Sequence, residues 1–197
     1  MQLRRFVRPY LKRLLLLGFF VGVLWALQIV NWITGYSLNR AFGLVPRSSY
    51  GLDGILGMPL LHGSFGHLAA NTPPLVVMGG LLAVTGTRAL LAVNGIIVGL
   101  GGALVWLLGS AAIHIGASGL IFGWFGFLVA RGAVDRAPVP LAVALGVGLT
   151  YGAMVWGVVP GQPGISWEAH LFGAVAGVVA AFVLRTQVDT LTPRRRP

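Results

Sequence analysis

Six apolar stretches, several of them near the length of one membrane crossing, punctuate this chain and leave little room for a soluble fold. An α-helix rises about 1.5 Å per residue, so about 20 apolar residues cross a hydrocarbon core about 30 Å thick. The stretches lie at about Leu14 to Ile33, Leu68 to Thr87, Ala89 to Ala111, Ser118 to Arg131, Pro138 to Val158 and Trp167 to Leu184. Backbone in lipid must satisfy its own hydrogen bonds, and continuous apolar runs do so as helices. The expected fold is all-α: a polytopic membrane protein with a six-helix bundle over residues 14–186, between basic tails at 1–13 and 187–197.

Composition points the same way. Charged residues make up 9% of the chain and mean hydropathy is +0.86, where a soluble domain carries roughly a quarter charged residues. The first stretch is too long, and too poorly followed by a small-residue cleavage site, to read as a removable signal peptide. The chain has no cysteine, which excludes disulfides, thiol catalysis and zinc–thiolate sites. No metal and no cofactor are expected. A net charge of +10 raises the question of nucleic acid, but the basic residues are dispersed around the apolar stretches. In a membrane protein such charge reports orientation first, so no nucleic-acid partner is expected. Thirteen of the fourteen basic residues are Arg, a bias compatible with a GC-rich bacterial genome.

If the N-terminus is cytoplasmic, six spans return the C-terminus to the same side. Arg4, Arg5, Arg8, Lys12, Arg13, Arg88, Arg131, Arg136, Arg185 and Arg194 to Arg196 are then cytoplasmic, and only Arg40 and Arg47 lie outside. Twelve against two predicts the plasma membrane of a bacterium with both termini in the cytoplasm. The fourth stretch, at about 14 residues, is too short to cross alone, so Ser118 is expected below the outer surface, in a cavity. The outer loop at about Thr34 to Leu61, with Tyr36, Phe42, Pro46 and Tyr50, suits a segment lying on the membrane surface. No internal repeat is evident, which disfavours an inverted-repeat transporter.

Three short segments carry the chemistry. Residues 62–71 read His-Gly-Ser-Phe-Gly-His-Leu-Ala-Ala-Asn, which puts His67 and Asn71 on one helical face. Residues 116–123 read Gly-Ala-Ser-Gly-Leu-Ile-Phe-Gly, and residues 169–177 read Ala-His-Leu-Phe-Gly-Ala-Val-Ala-Gly. Glycines at 119, 123, 173 and 177 make two small-residue faces that let helices approach closely. Packing the fourth span on the sixth through them would bring Ser118 to His170. Of the four acids, Asp53, Asp135 and Asp189 are expected outside the predicted spans, and Glu168 at the outermost end of the sixth rather than within its apolar run.

In this ordered set the chain resembles the rhomboid family of intramembrane serine proteases. The resemblance rests on His62, His67 and Asn71, the Gly-x-Ser-Gly at 116–119 and the His-x-x-Gly-x-x-x-Gly at 170–177, and covers roughly residues 14 to 186. It implies a Ser–His dyad without a carboxylate: Ser118 as nucleophile, His170 as general base, and an oxyanion site from the Ser118 backbone N–H, His67 and Asn71. It implies single-span membrane proteins as substrates, cut near the outer face, with the lipid bilayer as the other partner. It also assigns gating and capping to the fifth span and the loop at about Val159 to Ser166.

The chain departs from the family pattern in three places. Leu56 to Leu61 replaces a frequent Trp-Arg, Ala83 stands where a Glu is common, and Thr72-Pro73-Pro74 directly follows Asn71. Prolines there would kink an established helix. His62 is expected to hydrogen-bond the outer loop to the second span. His114 is expected at the outer end of the third span without a special role, and Asn71 could instead bridge two helices. The rival functions are a catalytically inactive rhomboid-like protein that binds membrane clients, and a small transporter or channel. Paired membrane aspartates and His-Glu-x-x-His, the marks of other intramembrane proteases, are absent from the sequence.

Overall fold

The first helix begins earlier than hydropathy predicts. The computed structural model of the chain describes residues 2–185, so the tail expected at 187–197 lies outside the described residues. Helix α1 (Gln2–Ile33) takes in most of the segment expected as an N-terminal tail, and its apolar part spans Val7–Ile33. Leu, Arg and Lys are good helix formers, and Tyr10 fastens this turn to the second span by donating its hydroxyl to Gly80 O at 3.3 Å.

The outer loop holds α2 (Ser37–Phe42), a 3-10 turn at Ser49–Gly51, α3 (Gly54–Gly57) and a 3-10 turn at Met58–Leu60. Leu44 and Met58 are buried, whereas Tyr50 and Leu56 are exposed, the amphipathic split of a surface-lying segment. Leu44 exchanges backbone hydrogen bonds with His114 at 3.0 and 2.8 Å, fastening this loop to the one before α7.

Helix α4 (Phe65–Leu82) starts on the Ser64 side chain, which accepts from His67 N at 3.0 Å. It continues unbroken through Pro73 and Pro74, so those prolines do not end the helix that carries His67 and Asn71. The carbonyls they leave without an intrahelical donor belong to the exposed Ala69 and Ala70. Helix α5 (Thr87–Ile96), a π-helical turn at Ile97–Gly101 and α6 (Gly102–Leu108) form one apolar stretch from Thr87 to Leu108.

Helix α7 (Ser118–Asp135) is four residues longer than predicted. Arg131, expected as its cytoplasmic terminus, is buried within it and pairs with Asp135 one turn on. That pairing lets both charges stay inside the helix, contrary to the expectation that Asp135 lies outside the spans. Glu168 is the second residue of α9 and is buried. Helix α8 (Pro138–Tyr151) continues into a 3-10 segment at Gly152–Val158, matching the predicted fifth span, and α9 (Trp167–Val183) closes the bundle.

Among the described residues, four stretches are long and apolar enough to cross a membrane alone: Val7–Ile33, Phe65–Thr85, Thr87–Leu108 and Pro138–Val158. The other two predicted spans, α7 and the shorter apolar α9, pack against each other. A Cβ on Gly173 would collide with Gly119 O, one on Gly177 with Gly123 O, and one on Gly126 with Ala174 O. The helices therefore touch backbone to backbone, as glycine faces permit. Around α7 the core gathers Leu68, Leu75, Met78, Val93 and Ala176. The molecule is an all-α polytopic helical bundle.

Candidate active site

The N-terminal ends of α4 and α7 meet at Gly116, and that of α9 packs close by against Gly119. Gly116 has φ +124°, which favours glycine, and a Cβ there would lie 2.8 Å from His67 Cε1, 3.0 Å from His67 Nε2 and 3.4 Å from Ser118 Oγ. The His67 ring and the Ser118 hydroxyl thus flank one point. The turn is held from outside as well, because Gly116 N donates to Met58 O at 2.8 Å and Ala117 N donates to His62 Nε2 at 3.3 Å.

His62 therefore does more than tie the outer loop to the second span. Its carbonyl accepts from Asn31 Nδ2 at 3.3 Å and from Asn39 Nδ2 at 3.2 Å, while its ring braces the turn that presents Ser118. Desolvation by burial, with the neighbouring His67 adding to it, pushes its pKa down to about 4. The ring stays neutral and can accept at Nε2. His67 lies edge-on to it, with centroids 5.1 Å apart. Asn71 is buried, and its Nδ2 has no hydrogen-bond partner. A buried amide donor without a partner costs about 1–3 kcal/mol.

His170 is buried, and its Nδ1 lies 2.9 Å from Gly157 O. A carbonyl only accepts, so Nδ1 carries the proton and Nε2 keeps a free lone pair. Phe122 stacks on the ring at a centroid distance of 4.1 Å and an interplanar angle of 7°. Phe122 is four residues after Ser118, so the stack sets His170 against the face of α7 that Ser118 begins. Gly119, next to Ser118, would meet Ala169 O at 3.2 Å if it carried a Cβ. Ser118 Oγ forms no hydrogen bond among the described residues; such bonds are often long before substrate binds.

The sequence reading missed three supporting residues. Phe122 and Gly157 hold the His170 ring between them, and a Cβ at position 157 would lie 2.9 Å from both His170 Nδ1 and Phe122 Cζ. His114 is buried, and it has a structural role. It donates from Nε2 to Ser110 O at 3.1 Å and takes the Ser166 hydroxyl on Nδ1 at 2.6 Å. Ser166 in turn caps α9 through Ala169 N at 3.2 Å, and Glu168 accepts from Ser110 N at 3.1 Å. These bonds hold the start of α9, one turn from His170. The legible signal was Ser166 before an apolar run, an N-cap pattern. Both His114 nitrogens are occupied, so it is not available as a base.

Residues 52–187, more than half of the chain, match the family described as Rhomboid domain. Uncharacterized protein Rv1337 of Mycobacterium tuberculosis is 41% identical over 174 residues, covering 84% of this chain and 72% of its own length. Uncharacterized protein ML1171 of Mycobacterium leprae is 37% identical over 174 residues, covering 84% of this chain and 68% of its own. The chain is a multi-pass membrane protein and belongs to the rhomboid family, a family of intramembrane proteases.

Proposed function

We propose that the protein is a serine endopeptidase that hydrolyses peptide bonds in single-span membrane proteins near the outer membrane face. The observation that carries this reading is the clamped His170: Nδ1 fixed on Gly157 O, the ring stacked on Phe122, and a free lone pair left on Nε2. Ser118 Oγ attacks the scissile carbonyl and passes its proton to Nε2, which returns it to the leaving amine. Water then hydrolyses the acyl-enzyme by the same proton transfers in reverse roles. The unpaired Asn71 Nδ2, the His67 ring and the Ser118 N–H donate to the oxyanion. A donor of this kind is typically worth ~2.7–4 kcal/mol. A backbone carbonyl orients the base where other serine proteases use a carboxylate.

The membrane is a bacterial plasma membrane with both termini cytoplasmic, on the basic asymmetry of twelve to two. A second reading, an inactive client-binding relative, is favoured by the absence of a Ser118–His170 hydrogen bond among the described residues. A cleavage assay separates the two. The purified protein should cut a single-span reporter in liposomes, and Ser118→Ala should abolish cutting while thermal unfolding is unchanged. Cleavage surviving in that variant sinks the protease reading.

A further inference from the structure

A groove runs along the bundle from Arg13 at one end toward the 3-10 turn at Met58–Leu60 at the other, bounded by α1, α4, α5 and α7. It encloses about 400 Å³, within the ~300–1,000 Å³ of small-ligand sites. Its walls are apolar, among them Leu17, Phe20, Leu60, Leu90 and Trp124. Only Arg13 and Asn94 interrupt them. Asn94 is satisfied: its Oδ1 accepts from Trp124 Nε1 at 3.0 Å and its Nδ2 donates to Leu90 O at 2.7 Å. Arg13 is not, because its Nε is buried without a hydrogen-bond partner.

Among the described residues, no acidic side chain lines the groove to meet that cation. Arg13 lies near the start of the apolar stretch Val7–Ile33, half-buried at the level where a basic side chain meets lipid headgroups. Leu16 and Leu91, both on the rim, are exposed, so the groove opens sideways to hydrocarbon. A water-soluble anion does not fit an opening of that kind. A molecule with an anionic head and an apolar tail does.

We propose that this groove binds one anionic phospholipid, its phosphate on the Arg13 guanidinium and an acyl chain along the walls toward Leu56 and Pro59. The planar guanidinium fork suits phosphate oxygens. Lys12 on α1 and Arg88 in the first turn of α5 add positive charge at the same end, which favours an anionic over a zwitterionic lipid. Deeper in, the chain lies against Leu120 and Leu60. Those residues adjoin Ser118 and Met58, and the Met58 carbonyl holds Gly116 N at 2.8 Å. Occupancy thus supports the turn that presents Ser118.

Native mass spectrometry of delipidated protein tests the proposal, using phosphatidylglycerol and phosphatidylcholine with identical acyl chains. The wild type should retain one phosphatidylglycerol, bound about tenfold more tightly than phosphatidylcholine. Arg13→Gln should erase that preference, with Arg13→Lys falling between. Leu91→Trp, placing an indole into the groove from an exposed position, should reduce binding of both lipids. Equal retention of the two lipids by the wild type overturns the proposal. So does a preference that survives Arg13→Gln, or binding undiminished by Leu91→Trp. The wild-type comparison stands by itself if a variant fails to fold.

Discussion

Helices α7 and α8 are neighbours in sequence and opposites in packing. Eleven residues of α7 are buried, and its glycines meet α9 at the level of backbone atoms. Along α8 only Val147 is buried, and the 3-10 segment at Gly152–Val158 that extends it buries none. Yet that loose segment supplies Gly157 O, the acceptor that sets the His170 tautomer. Ser118 and His170 thus sit on a stiff pair of helices, while the proton position on the base depends on a neighbouring segment that buries none of its residues. Weakly packed elements are the ones that open most readily, which suits the gating role that the family resemblance gives this span.

Substitutions on the two sides of this contrast should differ sharply. Gly177→Leu breaks the tight side: a Cβ there collides with Gly123 O and comes within 2.9 Å of Phe127 N, both backbone atoms that cannot swing away. The expected loss is ~3 kcal/mol or more, at the top of the usual overpacking range, read as a collapse of thermal stability in detergent. A Gly177→Leu protein as stable as the wild type would mean that α7 and α9 are not in backbone contact.

Acid should sharpen the contrast by attacking the turn that leads into α7. His62 titrates at about 4 in the folded protein, against about 6.5 when unfolded. The unfolded chain binds the proton more readily, so this stabilisation is complete above about pH 6.5 and is lost as pH falls toward 4. Thermal unfolding measured from pH 7 to 4 should show a smaller acid loss in His62→Gln, which cannot titrate. An identical loss in both proteins would remove His62 as its source.

The smallest effect is expected on the loose side. Leu149 is 88% exposed, so Leu149→Ala should alter stability by no more than ~0.5 kcal/mol. A larger change in unfolding temperature would show that the Leu149 side chain itself is held by the protein.

Hydropathy and glycine spacing made the bundle legible, since both follow from local sequence. The α7–α9 contact was readable because Gly119, Gly123, Gly173 and Gly177 have no other evident use at that spacing. The helix ends were less readable. Arg131 looked like a boundary because a lone charge stops a hydropathy window, and its pairing with Asp135 emerges only once both are placed on one helix. Supporting groups were hidden for a related reason. His62 to Ala117, His114 to Ser166 and His170 to Gly157 join distant segments, and two of the three use a backbone atom that carries no mark in the sequence. Phe122 looked like one more apolar residue until its ring was seen against His170.

The central claim is that His170, with Nδ1 fixed on Gly157 O, is the base that activates Ser118. Fluorophosphonate labelling of the purified protein tests it most directly, because the probe reports an activated serine without needing a substrate. His170→Ala should abolish labelling, while His114→Ala, which removes only the brace at the start of α9, should retain much of it. Labelling that persists without His170 and vanishes without His114 would contradict the account and transfer the base to His114.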